Sequence, residues 1–133
     1  MKVLKTFPKG GIHPPEHKLS AGKAIVPLTT PAEVVIPISQ HIGAPSNATV
    51  NRGDKVKTGQ IIAASSGFVS TNIHSSVTGT VKKIDTVIDT SGYKKMAIFI
   101  DTEADEWVDG VDLSDTLKSD VTLSKEEINK KIL

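Results

Sequence analysis

Residues 53–84 read Gly-Asp-Lys-Val-Lys-Thr-Gly-Gln-Ile-Ile-Ala-Ala-Ser-Ser-Gly-Phe-Val-Ser-Thr-Asn-Ile-His-Ser-Ser-Val-Thr-Gly-Thr-Val-Lys-Lys-Ile. Short runs rich in Val and Ile alternate here with Gly, Ser, Thr and Asn, the pattern of β-strands bounded by turns. A loose internal echo divides the stretch. Gly53-Asp54-Lys55-Val56 opens one half and Thr78-Gly79-Thr80-Val81 opens the other. Each glycine is expected to supply a positive φ before a strand, where a side chain would clash. Val56, Ile61, Val77 and Val81 then point into a shared core. The reading is two intertwined hairpin-like halves joined through the turn at residues 65–68.

This is the layout of the small β-module that carries biotin or lipoate on a lysine. The carrier lysine sits at the hairpin turn, so that its acylated arm can swing between active sites. No lysine occurs between Lys57 and Lys82, and the turn reads Ser65-Ser66-Gly67-Phe68. There is no amine to acylate. Phe68 either packs inward or stands out as an apolar docking anchor, since aromatics are enriched at interface hot spots.

Outward from this stretch, further β-type runs occupy residues 24–28, 33–38, 55–63, 68–73, 80–88 and 95–101. The clearest turns are Asn51-Arg52-Gly53-Asp54, Ser65-Ser66-Gly67 and Thr90-Ser91-Gly92. Pro27 and Pro37 suggest edge strands or strand ends, because proline cannot donate to a ladder. Such spacing argues for an all-β sandwich or partly closed barrel. Residues 7–22 carry prolines and glycines without a period and read as irregular; Pro14 and Pro15 exclude a helix or central strand. After Asp101 the chain turns acidic, with Trp107 as the one large apolar anchor of a loosely packed linker. Ser124 and Glu127 then fit a capping box, with Leu123 and Ile128 at the positions of a hydrophobic staple. A helix is expected to begin at Lys125. Only its first turns precede Leu133, as if it opened a further domain.

The chain has 133 residues, no cysteine and a formal charge of +1. That length suits one small domain with looser ends. Lack of cysteine excludes a disulfide framework, a thiolate metal site and an iron–sulfur cluster within this chain. No run of about 18 apolar residues is present. The opening Met1-Lys2-Val3-Leu4-Lys5 has no apolar signal region, so a cytosolic context is expected. The charge is uneven. Residues 1–100 hold twelve Lys or Arg against five Asp or Glu, and residues 101–133 hold four against ten. The asymmetry reads either as a solvated basic face with an acidic linker or as a basic surface for an acidic partner or lipid headgroups. Scattered lysines and scarce aromatics argue against nucleic acid.

Several segments carry a family likeness. Phe7-Pro8-Lys9-Gly10-Gly11-Ile12-His13-Pro14-Pro15-Glu16-His17-Lys18 resembles the opening of the C subunit of the Rnf electron-transport complex. So do Ser20-Ala21-Gly22-Lys23, residues 36–45 with Gln40-His41-Ile42-Gly43-Ala44-Pro45, residues 53–60 and Gly67-Phe68-Val69-Ser70. The likeness runs from about Phe7 to Ile100 and on to the end of the chain. The Gly-Asp-x-Val-x-x-Gly-Gln element is shared with biotinyl and lipoyl modules and with the A subunit of sodium-translocating NADH:quinone oxidoreductase. The His-Pro-Pro-Glu-His segment favours Rnf.

The resemblance implies an N-terminal barrel-sandwich hybrid domain of a peripheral subunit on the cytoplasmic face of the membrane. The parent complex would move electrons between ferredoxin and NAD while translocating sodium ions or protons. Its C subunit would bind flavin mononucleotide, NADH and two 4Fe-4S clusters, all beyond this chain. The expected organisation is an irregular arm over residues 1–23, the barrel-sandwich hybrid over 24–101, an acidic linker over 102–123 and the start of a helix over 124–133. Expected partners are the downstream flavin and NADH domain and other subunits.

Local chemistry is sparse. His13 and His17 lie four apart, but Pro14 and Pro15 forbid the helix that would align them for a metal. His41 and His74 fall on separate segments. Ser75 adjoins His74, and neighbours on a strand face opposite ways. No serine occupies a Gly-x-Ser-x-Gly elbow. A phosphocarrier role for His74 and a stand-alone carrier module are the alternatives in another class. Arg52-Gly53-Asp54 reads as a tight turn. No catalytic, cofactor or metal residue is assigned, and the candidate docking residues are Phe7, His13, Pro14, Pro15, His17 and Phe68.

Overall fold

A computed structural model describes Gly11, residues 14–117 and residues 119–132. Seven strands and one helix follow in order: β1 (Glu33–Pro37), β2 (Asn47–Ala48), β3 (Lys55–Val56), β4 (Ile61–Ala64), β5 (Ile73–His74), β6 (Gly79–Ile88), β7 (Lys94–Thr102) and α1 (Lys125–Ile132). A four-stranded sheet runs β1-β7-β6-β3 and a three-stranded sheet runs β2-β4-β5, with all strand pairs antiparallel. The core lies between them. Ile36, Val56, Val81, Ile98 and Ile100 enter it from the larger sheet, and Ile62, Ala63 and Ile73 from the smaller. This is the expected all-β, barrel-sandwich hybrid architecture with a short C-terminal helix.

β6 and β7 form the longest ladder, from Gly79 opposite Thr102 to Ile88 opposite Lys94. The connection is fixed by Asp89, whose carboxylate accepts from the Ser91 and Tyr93 amides, and by Gly92 at φ +80°. A bulge between Val81 and Lys83 sets Lys82 apart from the ladder. There it bridges Glu33 of β1 and Asp101 of β7. β1 is an edge strand that ends at Pro37, as a residue without an N–H requires. The helix starts at Lys125, with the Glu127 carboxylate accepting from the Ser124 amide at 2.8 Å and the Ser124 hydroxyl accepting from the Glu127 amide at 3.3 Å.

Several local expectations are corrected. Residues 24–28 form no strand, and Ile25, Val26 and Leu28 are exposed. The run 55–63 is two strands, not one, because Gly59 at φ +83° and the Gln60 amide donating to the Lys57 carbonyl make a turn. The phase then differs from the expected one. Ile62 is fully buried and Ile61 is exposed, with a bulge between Ile61 and Ala63 against β5. Residues 68–72 are loop, and β5 begins only at Ile73. Gly53 has the positive φ anticipated for it, +92°, but Gly79 does not. Gly79 is needed for a different reason. A Cβ there would lie 2.1 Å from the Asp101 carbonyl oxygen of β7.

Candidate docking surface

The connection between β4 and β5 corresponds to the turn where a carrier module would hold its lysine. Hydrogen bonds cross it and tie it to a neighbouring loop. The Ser65 amide donates to Asn72 Oδ1 at 2.9 Å, and the Ser66 amide donates to Ser70 Oγ at 3.1 Å. A second loop, residues 39–45, packs along it. The Ala44 amide donates to the Val69 carbonyl at 2.9 Å, and the Ser66 hydroxyl donates to the Pro45 carbonyl. Just beyond, the Ser46 hydroxyl donates to the Thr71 carbonyl at 2.6 Å. Gly43 permits the approach, since at φ +106° its missing Cβ would sit 2.1 Å from the Val69 carbonyl oxygen.

His41 occupies the junction of the two loops. Its Nε2 lies 3.0 Å from the Ala44 carbonyl oxygen, 3.3 Å from Ser70 Oγ and 3.3 Å from the Thr71 amide nitrogen. Its Nδ1 is buried with no partner. The ring thus reaches groups of both loops through one atom: with Nε2 protonated it donates to the Ala44 carbonyl, and unprotonated it accepts from the Thr71 amide or the Ser70 hydroxyl. We expect His41→Ala to raise amide hydrogen exchange across residues 66–71 while the β6–β7 ladder stays protected. Unchanged exchange in that loop would show that the ring does not hold it.

Outward from this frame stand Ile42, Phe68 and Val69. Phe68 has 104% of its reference exposure and Ile42 90%. The open choice between core packing and display is resolved: the Phe68 ring takes no part in the core. Pro14, Pro15 and His17 are also exposed, in a segment whose backbone bonds are local turns, such as the Lys18 amide to the Glu16 carbonyl. Phe7 and His13 lie outside the described residues. His74 is exposed on β5. Among the described residues, no group of three or more His, Cys, Asp or Glu is placed to hold a metal. No described helix is long and apolar enough to cross a membrane.

The acidic stretch is not a loose tether over its first residues. Thr58 and Thr78, both buried, stitch it to the barrel. The Thr58 amide donates to the Glu106 carbonyl at 3.0 Å, and the Val108 amide to the Thr58 carbonyl at 2.9 Å. The Glu106 amide donates to Thr78 Oγ1 at 2.7 Å, and the Thr58 hydroxyl donates to Asp105. The result is a parallel bridge between Thr58 and Trp107. Sequence reading missed these threonines. Their signal was a Thr-Gly pair occurring twice, at 58–59 and 78–79.

The strap also neutralises the basic residues beside it: Lys55 pairs with Glu103 and Lys57 with Glu106. The Thr80 hydroxyl and then Lys55 hold the Glu103 carboxyl below its ordinary value of 4.5. A carboxyl depressed by folding lends stability above its unfolded pKa, and that stability is lost as pH falls through the folded value. Melting temperature should therefore fall below pH 4.5, and less steeply in Glu103→Gln than in the parent. An identical acid limb in both proteins would remove Glu103 from the account.

Comparison with known proteins gives one consistent answer. The profile of the RnfC barrel sandwich hybrid domain matches residues 5–105. Over 84% of its length the chain is 44% identical to the C subunit of the proton-translocating ferredoxin:NAD(+) oxidoreductase complex of Clostridium ljungdahlii. Over 76% of its length it is 40% identical to the C subunit of the Na(+)-translocating ferredoxin:NAD(+) oxidoreductase complex of Acetobacterium woodii. Over 93% of its length it is 32% identical to the C subunit of an ion-translocating oxidoreductase complex of Haemophilus influenzae. The match spans 25%, 23% and 19% of those proteins, a quarter of their length or less.

Proposed function

The chain belongs to the RnfC barrel sandwich hybrid family, and on that premise we propose that it is a non-catalytic docking domain within one subunit of a larger assembly. The parent complex would be an ion-translocating ferredoxin:NAD oxidoreductase. The subunit would lie peripherally on the cytoplasmic face of the membrane. Its flavin mononucleotide, NADH and two 4Fe-4S clusters would sit outside this domain. The domain itself is read as residues 24–101, with an arm before it, the acidic stretch after it and α1 leading away.

The observation that carries this reading is the tip. A carrier fold has kept its hairpin and replaced the acylated amine with Phe68, displayed on a loop that two sets of hydrogen bonds immobilise. An exposed aromatic on a rigid loop loses little conformational freedom on binding, which favours a contact over a swinging arm.

The test is Phe68→Asp in the full-length subunit, with assembly into the complex measured by co-purification. Loss of an interface anchor worth about 2 kcal/mol lowers affinity by more than tenfold. Stability should move by less than about 0.5 kcal/mol, because the side chain touches no core residue. Normal assembly and electron transfer in this variant would refute the docking role of the tip.

A further inference from the structure

The three-stranded sheet and both tip loops lie in two stretches, residues 34–51 and 58–81, that contain no Asp, Glu, Lys or Arg. Glu33, Lys55, Lys82, Lys83, Asp85, Lys94, Lys95 and Asp101 all stand on the four-stranded sheet. Lys55, Lys57 and Lys82 are paired within the chain, to Glu103, to Glu106, and to Glu33 with Asp101. These three lysines are thus occupied by the chain's own carboxylates.

The two charge-free stretches carry a surface of Ser, Thr, Asn and Gly around Ile42, Ile61, Phe68 and Val69, all four exposed. Depletion of charge with an aromatic near the centre is the composition of an interface core. Such a surface offers no long-range field to guide a diffusing partner, because steering comes from charge. A partner joined through the same polypeptide needs no steering, since the tether sets its effective concentration. Relatives of this kind carry some three-quarters of their length beyond the matched region.

Resting on the docking reading above, we propose that this charge-free end packs against the remainder of its own subunit, with the Phe68 ring seated in an apolar pocket there. The contact is intramolecular, dry at its centre and indifferent to ionic strength.

The experiment places a benzophenone at the tip, as Phe68→p-benzoylphenylalanine, in the full-length subunit within its complex. Irradiation is followed by peptide mapping, at low salt and at about 1 M NaCl, where the screening length is about 3 Å. The expected product joins residue 68 to a downstream segment of the same chain, in equal yield at both salts. A cross-link to another subunit or to a second copy overturns the intramolecular assignment and leaves docking standing. A same-chain product that disappears at high salt overturns the neutral character of the contact. If no protein is cross-linked and Phe68→Asp assembles normally, the docking reading falls as well.

Discussion

Gly79→Ala is expected to destabilise the domain by about 3 kcal/mol or more, a large part of the roughly 5–15 kcal/mol typical of a whole domain. The reason is backbone contact at the centre of the larger sheet. Gly79 begins β6 opposite Thr102, and a Cβ there would lie 2.1 Å from the Asp101 carbonyl oxygen and 2.9 Å from Ile100 Cγ2. Neither neighbour can swing aside. The first is main chain in β7, and the second belongs to a fully buried core side chain. Relief must come from parting β6 and β7 where the strap also attaches through Thr78. Gly53→Ala is the internal control. Gly53 sits at φ +92° with nothing within 4 Å of the added atom, so only the left-handed strain of about 1–2 kcal/mol applies. Urea unfolding of the two variants orders them directly. A Gly79 variant as stable as the Gly53 variant would mean that β7 yields where the packing says it cannot.

Ile62→Ala is expected to cost about 3–4 kcal/mol, within the usual range for emptying a buried aliphatic site. Ile62 is the largest fully buried side chain of the smaller sheet. It shares the common core cluster with Ile98 and Ile100 of β7, so its loss removes the chief plug between the two sheets. The cavity would lie behind β4, the strand that leads into the tip. The adjacent Ile61→Ala should cost less than about 1 kcal/mol, because that side chain is 42% exposed. Denaturant midpoints with unchanged slopes distinguish the two. Equal losses at both positions would contradict the phase that the bulge imposes on β4.

That phase marks the boundary of what the sequence allows to be read. β6 and β7 were legible because strands of ten and nine residues carry strong β composition and a turn motif between them. β1 and the capped helix were legible for similarly local reasons. The failures have a common cause. Residues 24–28 have the composition of a strand, but a ladder needs a neighbour, and composition cannot supply one. Residues 55–63 look continuous because Thr58 and Gly59 interrupt the run without a strong turn dipeptide. The expectation that Ile61 enters the core fails, because strict alternation from the inward Val56 already places Ile62, not Ile61, on the inner face. Gly79 was recognised as a necessary glycine, but its necessity comes from Asp101 of β7, which is distant in the chain. The tip was placed correctly in the chain, whereas its rigidity depends on His41 and Gly43, whose role exists only once residues 39–45 lie beside it. The strap was invisible for the same reason: Thr58 and Thr78 become a buried pair only after folding.

The strap has a consequence for how the molecule behaves among its own copies. A sheet that stays open presents unpaired amides at both ends, and such ends invite strands from other chains to add on. Here one end is β1, five residues long and closed by Pro37. Beyond β3 at the other end, Thr58 already has its amide and carbonyl engaged by Glu106 and Val108. With little ladder left to extend, the molecule can hold an uncovered phenylalanine on a neutral face with less risk of growing edge to edge into aggregates.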